Sequence, residues 1–166
     1  IDASSRPIAI THANPSWWYP ARRNFGDNVI KPLVARGGMV GFSVYPHHLK
    51  GGSECTIKSF CQMVAEAASR YGAECLGIGT DLCQDQPDSI VEWMRVGRWS
   101  KAVDYGEGSV DAAGFPAMPS WFSDNRDFYK IRAGLAAVGM SEAEIDGIMG
   151  NNWYNFYCRN FDFAKS

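Results

Sequence analysis

Three polar side chains of this sequence stand where folded α/β proteins carry their chemistry. His12 follows a short apolar run, and Asp81 ends a second run that is rich in glycine. Arg23 lies eleven residues after His12, in a loop that closes on two arginines and an asparagine. Ligands and catalytic groups of α/β proteins collect at the carboxyl ends of the strands. We therefore treat His12, Arg23 and Asp81 as the candidate site residues.

Each of these residue types suits a different task. An imidazole at a strand end binds zinc or shuttles a proton. A guanidinium holds a carboxylate through two parallel hydrogen bonds. A carboxylate on a glycine-rich strand binds a metal, takes up a proton or holds an amine, because the missing side chains let a ligand come close.

A structural role is open for each residue as well. The ring of His12 can bond a neighbouring backbone group. Arg23 can lie at the surface and pair with Asp27, four residues further on. Asp81 can cap a helix or form a turn. On spacing alone, these alternatives stay open.

Two other groups of residues invite the same question. His47 and His48 also follow an apolar strand, but adjacent residues point to opposite sides, so they do not easily share a metal. We expect them to be structural or exposed to solvent. Trp17, Trp18 and Tyr19 form an aromatic run between the first candidate residues, and we expect packing there more than a pocket.

Composition excludes several classes of protein. The chain has 166 residues, of which 46% are apolar and 20% charged, as expected for one globular unit with a real core. A formal charge of −2 gives no support for a nucleic-acid partner. No apolar run approaches the roughly 18 residues that a membrane span needs. The sequence opens on Ile1 without a signal peptide, which predicts a piece of a longer protein.

The cysteines carry information about the compartment. They are odd in number and show no C-x-x-C spacing: Cys55, Cys61, Cys75, Cys83 and Cys158. This pattern favours reduced thiols and predicts a cytoplasmic protein. A secreted protein with one or two disulfide bridges is the alternative.

The hydrophobic pattern predicts strands that alternate with helices. Nearly continuous apolar strands separated by amphipathic helices are typical of a parallel sheet covered by helices. Pro32 predicts a kink or a first turn, Ser141 and Glu144 form a capping box, and Gly150 interrupts the helix that follows. The expected strands cover 7–12, 39–45 and 75–81, the helices 27–36, 55–71, 88–94 and 121–138, a loop 97–119, and a final aromatic segment 151–163.

Three parallel strands do not close a barrel. Such a sheet has two long apolar edges, which are a liability for a chain by itself. This predicts further strands outside the sequence.

The order of the motifs resembles a known family. The segments PIAITHAN, RRN, GGMVGFSVYP, LGIGTD and SEAEIDGIMGNNWYNFY resemble the C-terminal part of the membrane dipeptidase (renal dipeptidase) family of zinc peptidases. The resemblance implies an α/β chain whose residues 1–166 form strands six to eight and the terminal helices of one (β/α)8 barrel, with the upstream part absent. It also implies hydrolysis of dipeptides at two bridged zinc ions, with tolerance for a D-residue at the C-terminal position.

The same resemblance assigns roles to the three candidates. His12 corresponds to a histidine that binds one of the two zinc ions. Arg23 corresponds to the arginine that binds the substrate carboxylate, and it follows His12 at the interval that the family has. Asp81 corresponds to the aspartate that contacts the free amine of the dipeptide and serves in proton transfer.

The remaining metal ligands of the family lie upstream of this stretch. One histidine does not hold a binuclear zinc centre, so we expect a chain with the N-terminal part of the barrel as partner, and a homo-oligomer of the complete enzyme. Two alternatives remain: another binuclear-metal amidohydrolase on the same barrel, or a non-catalytic barrel subunit that keeps the frame without the metal.

Overall fold

The computed structural model describes residues 1, 3–94, 111 and 114–161. That part of the chain contains three strands and six α-helices. Strands alternate with helices as far as the third helix, and the last three helices follow one another. The strands are β1 (Ala9–Ile10), β2 (Met39–Phe42) and β3 (Leu76–Ile78). The helices are α1 (Asp27–Ala35), α2 (Ile57–Tyr71), α3 (Ser89–Trp93), α4 (Phe128–Ala137), α5 (Glu142–Asp146) and α6 (Asn152–Asn160).

The three strands form one parallel sheet in the order β1-β2-β3. In this register Ile10 lies opposite Val40, and Val40 lies opposite Leu76. The predicted parallel sheet is therefore confirmed, although each strand is shorter than expected. β1 ends early, but Ala13 still donates a backbone hydrogen bond to the carbonyl of Gly41 at 3.0 Å.

One face of the sheet packs against helices α1, α2 and α4. Val40, Phe42 and Leu76 point into this core, where each is at most 2% exposed. Burying a side chain of this size contributes roughly 1.5–3 kcal/mol. The helices contribute a matching set of apolar residues: Ile30, Leu33, Phe60, Cys61, Val64, Ala67, Ile131 and Leu135.

The opposite face of the sheet is lined by glycines. Successive residues of a strand point to opposite faces, so Gly41 and Gly77 lie opposite to the core, and Gly79 continues the same row. We call Gly41, Gly77 and Gly79 the glycine face. The indole of Trp153 from α6 lies against it, because a methyl group on Gly41 would come within 2.9 Å of the Trp153 ring.

Local signals explain the bounds of α2. The Thr56 hydroxyl accepts a hydrogen bond from the backbone N–H of Ser59 at 3.2 Å, so the helix begins one residue later, at Ile57. It ends at Gly72, whose φ of 90° favours glycine. The predicted helix over 55–71 is confirmed apart from its first two residues.

The prediction of a helix over 121–138 is wrong for its first seven residues, 121–127. Asp124 and Asp127 form a capping box that opens a short 3₁₀ turn, and α4 begins only at Phe128. Trp121 is instead buried in the core, where its indole N–H donates to the carbonyl of Cys55 at 2.7 Å. Burial of the two aromatics before the cap outweighs the helical spacing of the sequence.

The C-terminal helices follow the sequence signals. The capping box of Ser141 and Glu144 is present at the start of α5. A π-helical turn over Gly147–Asn151 joins α5 to α6, and the backbone departs from helical angles at Gly150. Pro32 lies inside α1. Most of the predicted loop over 97–119 lies outside the described residues.

The state of the cysteines and the character of the helices can be compared with the sequence. All five cysteines are free thiols in this structure. Among the described helices, none combines the length and the apolar character that crossing a membrane requires.

Candidate functional site

Two candidate residues follow the carboxyl ends of β1 and β3. His12 lies two residues beyond Ile10 and is half-buried, with its ring Nδ1 2.8 Å from the Thr11 hydroxyl. Asp81 lies three residues beyond Ile78, is half-buried, and has a φ of 56°. Because aspartate tolerates the left-handed region better than most residues, Asp81 suits this turn.

The glycine face brings the two segments together. A methyl group on Gly79 would overlap the carbonyl oxygen of Thr11 and would lie 3.5 Å from the Cα of His12. A methyl group on Gly41 would overlap the same carbonyl. The end of β1 thus crosses over the glycine face. The backbone of His12 comes next to a residue only two positions before Asp81.

Arg23 lies in the loop between β1 and α1. It is exposed, and it makes no hydrogen bond or ion pair with any residue that the structure describes. The alternative in which Arg23 pairs with Asp27 is wrong, because that carboxylate is bound by Lys31 at 2.9 Å and by the Tyr71 hydroxyl at 2.5 Å. The guanidinium of Arg23 is therefore available to a ligand.

The residue after Arg23 fixes the loop. The side-chain amide of Asn24 donates to the carbonyls of Tyr19, at 2.8 Å, and His48, at 3.0 Å. Its side-chain oxygen accepts from the backbone N–H of Asn14 at 2.9 Å. Asn24 ties the loop to the ends of β1 and β2, so the backbone beside Arg23 has a defined position.

A buried polar network lies beneath this loop. Asn14 is 1% exposed, and its amide donates to the carbonyls of Ser43 and His48 at 3.0 and 3.1 Å. Its oxygen accepts from the N–H of Ser43 at 3.1 Å. His48 is 4% exposed, with Nδ1 2.8 Å from the Ser43 hydroxyl, so it is structural, one of the two roles expected. Sequence reasoning missed Asn14, although a polar residue four positions after the end of β1 is the available signal.

The aromatic residues of the loop take part in packing, since Trp17 and Trp18 lie against the core. The indole N–H of Trp17 donates to the Tyr71 hydroxyl at 2.7 Å, and the Arg70 guanidinium lies 4.2 Å above the Trp17 ring. Burial and the hydrogen bond to Asp27 raise the pKa of Tyr71 to about 12. The same hydrogen bond, with help from Lys31, lowers the pKa of Asp27. These contacts hold the loop against α1 and α2.

An open cavity of about 370 Å³ adjoins the Asp81 turn. Leu82 and Cys83, which follow Asp81 in the chain, line this cavity together with Tyr45 and Arg126. The Arg126 guanidinium is bound by Asp124 at 2.6 Å, so its charge is already neutralised. Part of this wall belongs to the predicted loop over 97–119, which is why the sequence pattern did not reveal the cavity.

The described residues do not form a complete metal site. Among them, no three His, Cys, Asp or Glu side chains lie together in a way that would hold a metal ion. His12 is the candidate ligand, and the contact of its Nδ1 with Thr11 leaves Nε2 for a metal. Zinc sites use three or four protein ligands, so one imidazole does not suffice.

The family is decided by the first part of the chain. The model of the membrane dipeptidase family, peptidase family M19, matches residues 1–97. The chain belongs to this family. The matched residues include all three candidates of the sequence analysis. Among curated proteins, none matches the chain.

Solved structures of related proteins share the fold. An amidohydrolase from Pseudomonas aeruginosa matches with a TM-score of 0.80 and 25% identity, over 92% of this chain and 45% of that one. A metallo peptidase from Rhodobacter sphaeroides, liganded with a phosphinate mimic of the dipeptide L-Ala-D-Ala, matches with a TM-score of 0.72 and 19% identity, over 96% and 38%.

A dipeptidase described as a metallo peptidase of family M19 matches with a TM-score of 0.70 and 19% identity, over 96% of this chain and 39% of that one. The chain therefore has a mixed α/β fold similar to that of these proteins. It spans less than half the length of each of the three.

Proposed function

We propose that the chain forms strands six to eight and the terminal helices of a (β/α)8 barrel, and that the complete protein is a zinc-dependent dipeptidase. The observation that carries this proposal is the membership in the membrane dipeptidase family together with the position of His12, Arg23 and Asp81 at one end of a parallel sheet. The remaining strands would come from the same polypeptide or from a second chain. We expect a homo-oligomeric, cytoplasmic enzyme.

Arg23 and Asp81 would hold the two charged ends of the substrate. The guanidinium of Arg23 would pair with the dipeptide carboxylate through two hydrogen bonds. The carboxylate of Asp81 would hold the ammonium group and take part in proton transfer. Because both ends of the substrate are bound, a longer peptide would lose one of the two contacts. This pair of charges therefore favours dipeptides.

His12 would supply one ligand to one of two zinc ions. The other ligands would have to come from the remaining strands, since the described residues do not supply them. Bound zinc would lower the pKa of a water molecule and polarise the scissile carbonyl. The contribution of this chain is then one imidazole and two substrate-binding groups.

Two other functions are alternatives to this proposal. The similarity to the amidohydrolase from Pseudomonas aeruginosa supports an amidohydrolase on the same fold, and one with two metal ions and another substrate is the first alternative. A non-catalytic barrel subunit, which would keep the frame without the metal, is the other alternative. Only the dipeptidase proposal needs both Arg23 and Asp81 as partners of a substrate with two charged ends.

The test compares Asp81→Asn with His12→Ala in the protein assembled with its remaining strands. Asp81→Asn keeps the shape of the side chain, so zinc stays bound while dipeptide turnover falls by about 10²–10⁴-fold. His12→Ala should lower zinc content as well as turnover.

Zinc per chain, melting temperature and turnover are measured on both variants. A turn residue at position 81 would instead give lost stability with normal turnover per folded molecule. Normal zinc content and normal turnover in His12→Ala would refute the dipeptidase proposal.

A further inference from the structure

The cavity that adjoins the Asp81 turn is built from separate parts of the chain. The loop after β2, the loop after β3 and the segment before α4 supply these lining residues: Tyr45, Leu82, Cys83, Phe115 and Met118. Its volume of about 370 Å³ lies in the range of small-molecule sites, about 300–1,000 Å³. The cavity is therefore large enough to receive the side chain of a substrate.

The carboxyl ends of β2 and β3 place this cavity next to the candidate site. The N–H of Val44 donates to the carbonyl of Thr80 at 3.2 Å, so the residues that follow these two are neighbours beyond the strands. They are Tyr45, which lines the cavity, and Asp81. The thiol of Cys83, another lining residue, lies 3.8 Å from the backbone carbonyl of Asp81. A group bound to Asp81 would thus have the cavity beside it.

The segment before α4 is held in place by hydrogen bonds to other parts of the chain. The N–H of Phe115 donates to the carboxylate of Asp88 at 3.0 Å. The carbonyl of Ala117 accepts a hydrogen bond from the hydroxyl of Ser53. This wall of the cavity therefore has a defined position before a ligand arrives, which reduces the entropy cost of binding.

The chemistry of the lining restricts the ligand. Apart from the thiol, the five lining residues named above present aromatic rings or aliphatic groups, on which an apolar side chain packs well. The guanidinium of Arg126 is offset by Asp124 at 2.6 Å, so Asp85 gives the described lining a net charge of −1. Like charges repel, so a carboxylate is disfavoured there. The cavity suits a large side chain without negative charge.

We infer that this cavity binds the side chain of the N-terminal residue of the dipeptide and selects large apolar side chains over small or acidic ones. The inference rests on the proposed function, because it takes Asp81 to hold the amino group of that residue. The amino group and the side chain are attached to the same carbon atom of the substrate. A substrate held by Asp81 therefore brings this side chain to the residues that follow Asp81 in the loop.

The first experiment measures kcat/KM of the protein assembled with its remaining strands on a set of dipeptides. Phe-Ala should be preferred to Ala-Ala at least about tenfold, since even one methylene group in an apolar pocket changes kcat/KM by about tenfold or more. Gln-Ala and Glu-Ala have the same shape, and the charge of Glu-Ala should lower its kcat/KM by about two- to fivefold. Ala-Phe carries the ring on the C-terminal residue and reports on the opposite assignment.

Cys83→Trp fills the cavity. It should lower the ratio of kcat/KM for Phe-Ala to that for Ala-Ala by about tenfold or more, because the indole takes the place of the substrate ring. Cys158→Trp is the matched control. Cys158 is also an exposed free thiol, but it lines a separate cavity with Arg6, which precedes β1. The control should leave the ratio unchanged.

Thiol labelling of the wild type gives a second readout that needs no substitution. Cys83 and Cys158 are the two exposed thiols of the chain. A phosphinate mimic of Phe-Ala should slow the labelling of Cys83 by about fivefold or more, because the bound ring shields the sulfur. The same mimic should leave the labelling of Cys158 unchanged, and a mimic of Ala-Ala should protect Cys83 less.

Dipeptide hydrolysis without either of the two substrate preferences would overturn the inference, and so would equal ratios in the two tryptophan variants. If Cys83→Trp impairs Ala-Phe more than Phe-Ala, the cavity takes the C-terminal side chain and the inference is wrong. Should Cys83→Trp not fold, equal protection of Cys83 by the two mimics would overturn it. Protection of Cys83 by the Phe-Ala mimic without any dipeptide hydrolysis would refute the proposed function alone.

Discussion

The loop after β1 and the loop after β3 hold their candidate residues in different ways. The loop after β1 is fixed by the buried Asn14 and by Asn24, which reaches the ends of two strands. The loop after β3 is held by its backbone, because the N–H of Val44 donates to the Thr80 carbonyl at 3.2 Å. Its side-chain contacts are the 3.3 Å bond from the Leu82 N–H to the Thr80 hydroxyl and the 3.4 Å bond from the Asn125 N–H to Gln84.

This difference suggests that the two loops position their candidate residues by different means. The Arg23 loop is organised before any ligand arrives, which reduces the entropy cost of binding a carboxylate. The Asp81 loop takes its position from its backbone, since Asp81 and Asp85 both have a positive φ and Gly79 permits the close approach of Thr11. The position of Arg23 is therefore fixed by side-chain hydrogen bonds of its neighbours, and that of Asp81 by backbone contacts at Gly79 and Thr80.

The largest effect is expected from Gly79→Ala. The added methyl group would overlap the Thr11 carbonyl oxygen, so the end of β1 must move away from the glycine face. Overpacking of this kind typically costs about 1–3 kcal/mol and sometimes more. Urea unfolding measures the loss. Gly150→Ala is the control, since no atom lies within 4 Å of its added methyl group.

A tolerated Gly79→Ala, with a stability equal to that of Gly150→Ala, would contradict the close approach of β1 and β3. The contact between Gly79 and Thr11 would then not explain how the Asp81 loop is positioned.

The next effect is expected from Asn24→Asp. The new carboxylate oxygen would face the carbonyl oxygens of Tyr19 and His48 without a hydrogen to donate. Leaving such partners unsatisfied costs about 1–3 kcal/mol. In the assembled protein, the displaced loop should also raise KM for a dipeptide, because Arg23 is the neighbouring residue.

Gln84→Glu in the loop after β3 is the matched control for Asn24→Asp. Its stability should stay within about 0.5 kcal/mol of the wild type, as for most surface substitutions. If both substitutions cost the same free energy of unfolding, the two loops are held equally well and the proposed difference between them is wrong.

The smallest expected effect is on the pH dependence of the unfolding free energy, through Tyr71. Burial first, and then Asp27, raise the pKa of this phenol from 10.0 to about 12. The folded chain therefore holds the proton more tightly, and the stabilisation is complete below pH 10 and is lost as the pH rises through 12. Tyr71→Phe carries no such proton.

Unfolding free energies of wild type and Tyr71→Phe are compared from pH 7 to pH 12. The wild type should be more stable by about 0.5–1.5 kcal/mol at neutral pH, from the hydrogen bonds to Trp17 and Asp27. This advantage should shrink above pH 10. A difference that stays constant with pH would show that Tyr71 does not tether the loop as described.

Local patterns predicted the frame of the fold well. Apolar runs and helical spacing gave the parallel sheet, and the capping box at Ser141 gave the start of α5, because these signals act over a few residues. The start of α4 was wrong because a tertiary contact decided it. Trp121 gains more from burial against the Cys55 carbonyl than from a place in a helix.

The sequence pointed to candidate residues but not to the contacts around them. His12, Arg23 and Asp81 stand out by type and by their place after apolar runs. The polar bridge of Asn14 did not, because its partners lie 29 and 34 positions away in the sequence. Periodicity carries no information about contacts over such distances.

The rate at which the buried thiols are modified would report local opening of this chain. Burial raises the pKa of Cys55 and Cys75 to about 11 and that of Cys61 to about 12, so almost no thiolate forms in the closed state at neutral pH. A thiol reagent can modify them only in the moments when the packing around α2 separates. The extent to which these three thiols are modified, relative to the exposed Cys83, would report how often the core opens.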